Sequence, residues 1–221
     1  MGTRAQTYIS LSALFVAIAL SSGTVIAAET DSFLKGPRQA DWLVRGSALS
    51  VRSLTQTTDI PIVGGQIKSP DKTYPGLDIS YFFTDHWAIE FQGGHVKRSY
   101  AVSGSSLGNF SVGSIDSNVL SLALQYHFRP TESIKPYVGV GANYAWTRSV
   151  DPAQNIPSFD VKPIASTLFA AGIDVAIAPG WLVNASARYL LSPEYDFKGE
   201  GFSATVKINT LVLGMGVGFY F

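Results

Sequence analysis

Asp78, Glu90, Asp174 and Arg188 fall at one parity of segments that otherwise alternate apolar and small polar side chains. Arg45 joins them if its own segment keeps that facing, and Gln125, Asn143 and Asn184 stand at the same parity. Successive side chains of a strand point to opposite faces, so these eight residues would gather on one side of a sheet. Charges crowded into a narrow interior are costly unless paired. They would form either a structural ion-pair network or a polar constriction that selects what passes. The residues point to no catalytic, cofactor or metal chemistry. His86, His95 and His127 lack metal-ligand spacing, and with no cysteine there is neither thiolate nor disulfide. No Gly-x-Ser-x-Gly elbow or phosphate loop occurs, and Gly139-Val-Gly141 lies mid-strand. His127 precedes Phe128 and Arg129, with no serine in register for acyl transfer.

Eight alternating segments must position these residues. The clearest is Leu211 to Phe221, where Leu211, Leu213, Met215, Val217, Phe219 and Phe221 share one face. Gly214, Gly216 and Gly218 lie on the other, with Val212 and Tyr220. A nearly bare face suits the crowded interior of a small closed barrel, and the greasy one then meets lipid. The same period marks Leu77–Phe83, Trp87–Gly93, Leu120–Phe128, Tyr137–Trp146, Phe169–Ile177 and Trp181–Leu191. The first segment, Trp42 to Arg52, is irregular: Trp42, Val44 and Ala48 share a parity that Leu49 and Val51 break. A bulge or a change of facing near Ala48 would account for that.

Between these segments the connections alternate long and short. Leu54–Thr73, Ser99–Ser117, Thr147–Pro163 and Ser192–Ser203 read as long polar loops; Thr84-Asp85-His86, Arg129–Ser133 and Ala178-Pro-Gly180 read as tight turns. This predicts an all-β fold, an eight-stranded antiparallel up-and-down transmembrane barrel with four long external loops and short periplasmic turns. Ten residues at about 3.3 Å each, tilted by about 40°, rise about 25 Å, the height of a lipid-facing band. Trp87, Phe128, Tyr137, Trp181, Phe219 and Phe221 would form an aromatic girdle at one interface, and Tyr144, Trp146 and Tyr189 at the other. A soluble lipocalin-type barrel with its greasy face inward is the competing architecture, but its outer face should carry more charge than these alternates do.

Residues 1–28 have the character of a cleaved secretory signal. Arg4 supplies a positive charge, Ile9 to Leu20 an apolar core, and Val25-Ile-Ala27 or Ile26-Ala-Ala28 a small-residue end. An uncleaved anchor is the alternative, although the apolar stretch is shorter than the roughly 18–20 residues of a membrane helix. Residues 29–221 would then form one barrel domain. Taking Arg4 from the 16 basic residues leaves 15 against 16 acids, a balance that argues against nucleic acid as a partner. Charged residues are only 14% of the chain, against about 25% in soluble domains.

Lys135-Pro-Tyr-Val-Gly-Val-Gly-Ala-Asn-Tyr144 resembles the fifth-strand signature of the OmpW family of small outer-membrane proteins. Gly180-Trp-Leu-Val-Asn-Ala-Ser186 is similar to its seventh-strand opening, and Trp42-Leu-Val-Arg-Gly-Ser-Ala48 and Leu77 to Phe91 fit their expected places. The resemblance implies an integral protein of the Gram-negative outer membrane, surrounded by its lipids. It implies a narrow channel that takes up small hydrophobic solutes, with possible lateral exit into the membrane. The strand ending at Phe221 resembles the signal read by the barrel-assembly machinery. Arg188, mid-strand and inward, departs from a purely apolar passage. Ile60, Ile62, Val63, Ile67 and Leu107 would line an apolar vestibule above it. A structural or surface-interaction barrel with a closed lumen is the alternative, and a lipid-modifying enzyme would need a carboxylate or serine poised at the rim.

Overall fold

A computed structural model describes residues 38–221 apart from 60–63, 107, 155, 158, 194, 200 and 201; the side chains of 55–59, 159, 195–199 and 202–206 are not described. The leader expected at residues 1–28 lies outside the described residues, as do Ile60, Ile62, Val63 and Leu107.

Every regular element among the described residues is a strand. Eight of them are staves: β1 (Trp42–Asp59), β3 (Lys72–Phe82), β4 (Trp87–Ser105), β5 (Gly108–His127), β6 (Ile134–Pro152), β8 (Ile164–Ala178), β9 (Trp181–Leu191) and β11 (Phe202–Tyr220). Each pairs antiparallel with its neighbour, and β1 closes the ring on β11 through Leu43↔Tyr220 to Asp59↔Thr205. Three short strands, β2 (Gln66–Lys68), β7 (Phe159–Asp160) and β10 (Tyr195–Gly199), sit in the external loops. Closure pairs the first stave with the last, as a bilayer requires because lipid cannot satisfy backbone N–H and C=O groups; the β3–β4 ladder alone stops short, at Leu77↔Gly93.

The greasy alternates face out. Leu77, Phe91, Leu122, Val140, Phe169, Met215 and Val217 are exposed in a belt around the barrel. The turn end carries aromatic pairs, Trp87 with Tyr126 at 5.0 Å and Trp181 with Phe219 at 5.0 Å. These turns are built locally: the Trp87 amide donates to Thr84 Oγ1 at 2.9 Å, and Gly180 takes φ +76°, a conformation disfavoured for residues with a Cβ.

Two expectations need correction. Strand β1 has no bulge or change of facing near Ala48: its pairing with β3 is continuous from Trp42↔Tyr81 to Val51↔Lys72, and the register against β11 shifts only between Ser53 and Thr55. Leu49 breaks the apolar parity because it points into the barrel, where it is buried. The external segments are also less loop-like than their composition suggests. Ser99–Ser117 is mostly the top of a β4–β5 hairpin, paired through Ser99↔Ser114 and Val102↔Phe110. Its period is concealed by a bulge, since Tyr100 pairs Gly113 and Ala101 pairs Ser111, leaving Val112 as the extra residue. Above the lipid band the ladder persists although neither face needs to be uniformly apolar.

Candidate functional site

From the periplasmic end upward, the interior has three layers. The lowest is apolar. Leu43, Phe82, Ala88 and Leu182 are at most 1% exposed and pack together, with Tyr220 against them. They come from β1, β3, β4 and β9 and close the base of the barrel.

The second layer is an ion network centred on Arg45. Its Nε lies 2.7 Å from Asp78 Oδ1, one terminal nitrogen 2.6 Å from Glu90 Oε2 and the other 3.1 Å from Asp174 Oδ2. Arg188 reaches Glu90 Oε1 at 2.9 Å. Gln125 donates to Glu90 at 2.7 Å, and Asn184 donates to Asp174 at 2.7 Å and to the Tyr137 hydroxyl at 3.2 Å. The guanidinium of Arg45 stands over the Tyr137 ring at 5.4 Å, a cation–π contact. Lys135, also buried, pairs in register with Asp174. Seven staves supply these side chains and β11 supplies room: a Cβ at Gly218 would approach Arg45 Cγ to 2.7 Å. Bidentate and charge-assisted hydrogen bonds of this kind compensate the desolvation of buried ions.

Above the network lies a cavity of about 180 Å³. Leu49, Val51, Val119, Leu168, Leu190 and Val212 give it apolar walls, while Gln92 and Arg188 also border it. Asn143, which accepts from Ser121 Oγ at 2.8 Å, stands on its wall rather than in the network. Higher still, Ile67 packs with Val102, Ile115 and Ile208, flanked by Tyr100, Phe110 and Val150. Ile67 is thus a buried member of an apolar cap, contributed by β2.

One stretch of the wall is open. Strands β3 and β4 pair only from Phe82↔Ala88 to Leu77↔Gly93, whereas β3 continues on β1 to Lys72 and β4 continues on β5. Pro75, with no N–H to donate, lies in the unpaired stretch. Side chains span the gap: the Tyr74 hydroxyl donates to the Lys97 carbonyl at 2.6 Å, and Lys72 Nζ donates to it at 3.3 Å. Pro75, Gly93 and His95 have lipid-side parity yet border the same cavity as Leu49 and Val119.

The structure therefore brings Arg45, Asp78, Glu90, Gln125, Asp174, Asn184 and Arg188 into one cluster and leaves Asn143 above it. Tyr137, expected in the lipid-facing aromatic girdle at the periplasmic turns, is instead 2% exposed inside the barrel. A Cβ at Gly172 would overlap its ring, so the facing glycine makes that position possible. Gln92 and Lys135 were not singled out as interior site residues, although the parity of their segments places them there.

Comparison with known proteins agrees with this architecture. A model described as the OmpW family matches residues 38–221. Outer membrane protein AlkL of Ectopseudomonas oleovorans is 28% identical over 199 residues, 84% of this chain and 84% of that protein. The crystal structure of OprG from Pseudomonas aeruginosa superposes with a TM-score of 0.75 at 22% identity, covering 85% of this chain and 98% of that one. AlkL in DMPC bilayers gives 0.65 at 24% identity, covering 92% and 97%. At these identities the structural likenesses establish the fold alone. With the family match spanning all the described residues, the chain is an integral outer-membrane β-barrel and belongs to the OmpW family.

Proposed function

We propose that the protein admits small hydrophobic molecules through the outer membrane and releases them sideways into the bilayer. The apolar cap and upper cavity receive the solute. The ion network and apolar base beneath block straight descent, so the seam between β3 and β4 is the way out. One observation carries this reading: Pro75, Gly93 and His95, on the lipid side by parity, border the same cavity as the inward Leu49 and Val119. An apolar solute moving from chamber to acyl chains never meets bulk water, so desolvation costs it little at the exit.

Nothing lies within 4 Å of a Cβ built at Gly93, so a bulky side chain is tolerated there and would stand in the seam. Uptake of a hydrophobic fluorescent probe by cells is expected to rise severalfold with the wild-type protein. Gly93→Trp is expected to return it close to the empty-vector level while the barrel keeps its heat-modifiable gel mobility. Equal uptake with and without the wild-type protein removes the proposal. The sealed base favours one other reading, a structural or surface-interaction barrel with a closed lumen, which gives no uptake in either case.

A further inference from the structure

Four basic residues border the upper cavity, Arg98, Arg188, Lys162 and His95, and no acid among the described residues borders it. Two of the four already face a carboxylate: Arg188 meets Glu90 in the network below, and His95 lies 3.1 Å from Asp116. The other two do not. Arg98 donates only to hydroxyls, from Nε to Ser69 at 3.1 Å and from one terminal nitrogen to Ser53 at 2.6 Å. Its other terminal nitrogen has no partner among the described residues, and neither has the ammonium of Lys162, just before β8. Along β4 the inward residues run Gln92, Gly94, Val96, Arg98, Tyr100, all on the cavity wall. Arg98 therefore stands between the floor and the apolar cap that Tyr100 flanks. A half-buried cation without a counterion is costly, and low-dielectric walls focus its field into the chamber.

We propose that the chamber binds an organic anion, an apolar body carrying one carboxylate, which takes a hydrogen bond from the free terminal nitrogen of Arg98. This rests on the uptake reading above and gives its solute a charge. A guanidinium suits the head because its planar fork matches a carboxylate. Lys162 is exposed, so water screens it; it adds positive potential at the approach rather than the main contact. The body lies against Leu49, Val119 and Leu168. An inorganic anion would meet the same charges but leave this aliphatic wall uncovered, and a neutral chain would cover the wall but leave Arg98 unmatched. The charge does not bar the lateral exit. Lys72 spans the seam, 3.3 Å from the Lys97 carbonyl, so a carboxylate leaving that way passes beside a cation.

The test titrates octanoate, octanamide and inorganic phosphate into the full barrel in nanodiscs of zwitterionic lipid, at neutral pH and low salt. Octanoate is expected to bind the wild type about tenfold or more tightly than octanamide, the worth of one hydrogen bond to a charged group, with phosphate weaker still. Arg98→Gln should abolish that preference and leave octanamide unchanged. Lys162→Gln should lower octanoate affinity severalfold and flatten its salt dependence. If Arg98→Gln fails to fold, the wild type and Lys162→Gln decide. Octanoate no tighter than octanamide in the wild type, a preference that survives both substitutions, or phosphate binding as tightly as octanoate would each overturn the assignment. Octanoate binding without cellular uptake of the hydrophobic probe removes the transport reading and leaves the site. Uptake of that probe without any preference for octanoate does the reverse.

Discussion

Arg45 is the residue on which the interior depends. All three of its guanidinium nitrogens are used, against carboxylates from β3, β4 and β8. Arg45→Ala takes a cationic partner from three buried acids and leaves Asp78 without its ion pair, and breaking a buried ion cluster costs about 3–5 kcal/mol. Arg188→Ala should cost less, because Glu90 keeps Arg45 and Gln125. Denaturant unfolding of both variants in vesicles checks the order; equal losses would mean that Arg45 is not the hub. Parity alone placed Asp78, Glu90, Asp174 and Arg188 in the interior. It could not say which acid meets which base, because that depends on the relative heights of seven strands around a closed ring. Tyr137 shares parity with the inward Gly139, Gly141 and Asn143, so its facing is legible, but an aromatic near a strand end also resembles an interfacial anchor.

At the level of elements, seven of the eight segments show their facing in the sequence, because lipid on one side and a narrow lumen on the other enforce a period of two. The first segment does not, since Leu43 and Leu49 are apolar residues used inside, one in the basal seal and one in the chamber wall. Nor does the sequence reveal the seam. Pro75 marks it, yet a proline on a strand predicts only a missing donor; the parting of β3 from β4 is a matter of pairing. Native-state hydrogen exchange reads it directly. Alternate amides between Gly94 and Arg98 should exchange faster than those between Ala88 and Gly93, which have partners on both sides. Uniform protection along β4 would show the ladder to be closed.

For the molecule as a whole, the exposed aliphatic belt is what makes the fold a membrane fold. Leu122 stands in it, 47% exposed, directly across from Ala142 and Phe91 on the neighbouring staves. Leu122→Arg should destabilise the barrel by about 2–4 kcal/mol, the cost of a basic residue near the bilayer midplane, measured by folding equilibria in vesicles. An unchanged equilibrium would mean that this face does not meet acyl chains.

The basal seal of Leu43, Phe82, Ala88 and Leu182 bears on the economy of the cell envelope. A water-filled pore admits toxic hydrophiles along with nutrients, so every added copy makes the cell more vulnerable. A barrel corked by hydrocarbon at its foot offers polar solutes no aqueous path, so added copies leave the permeability barrier to polar antibiotics intact.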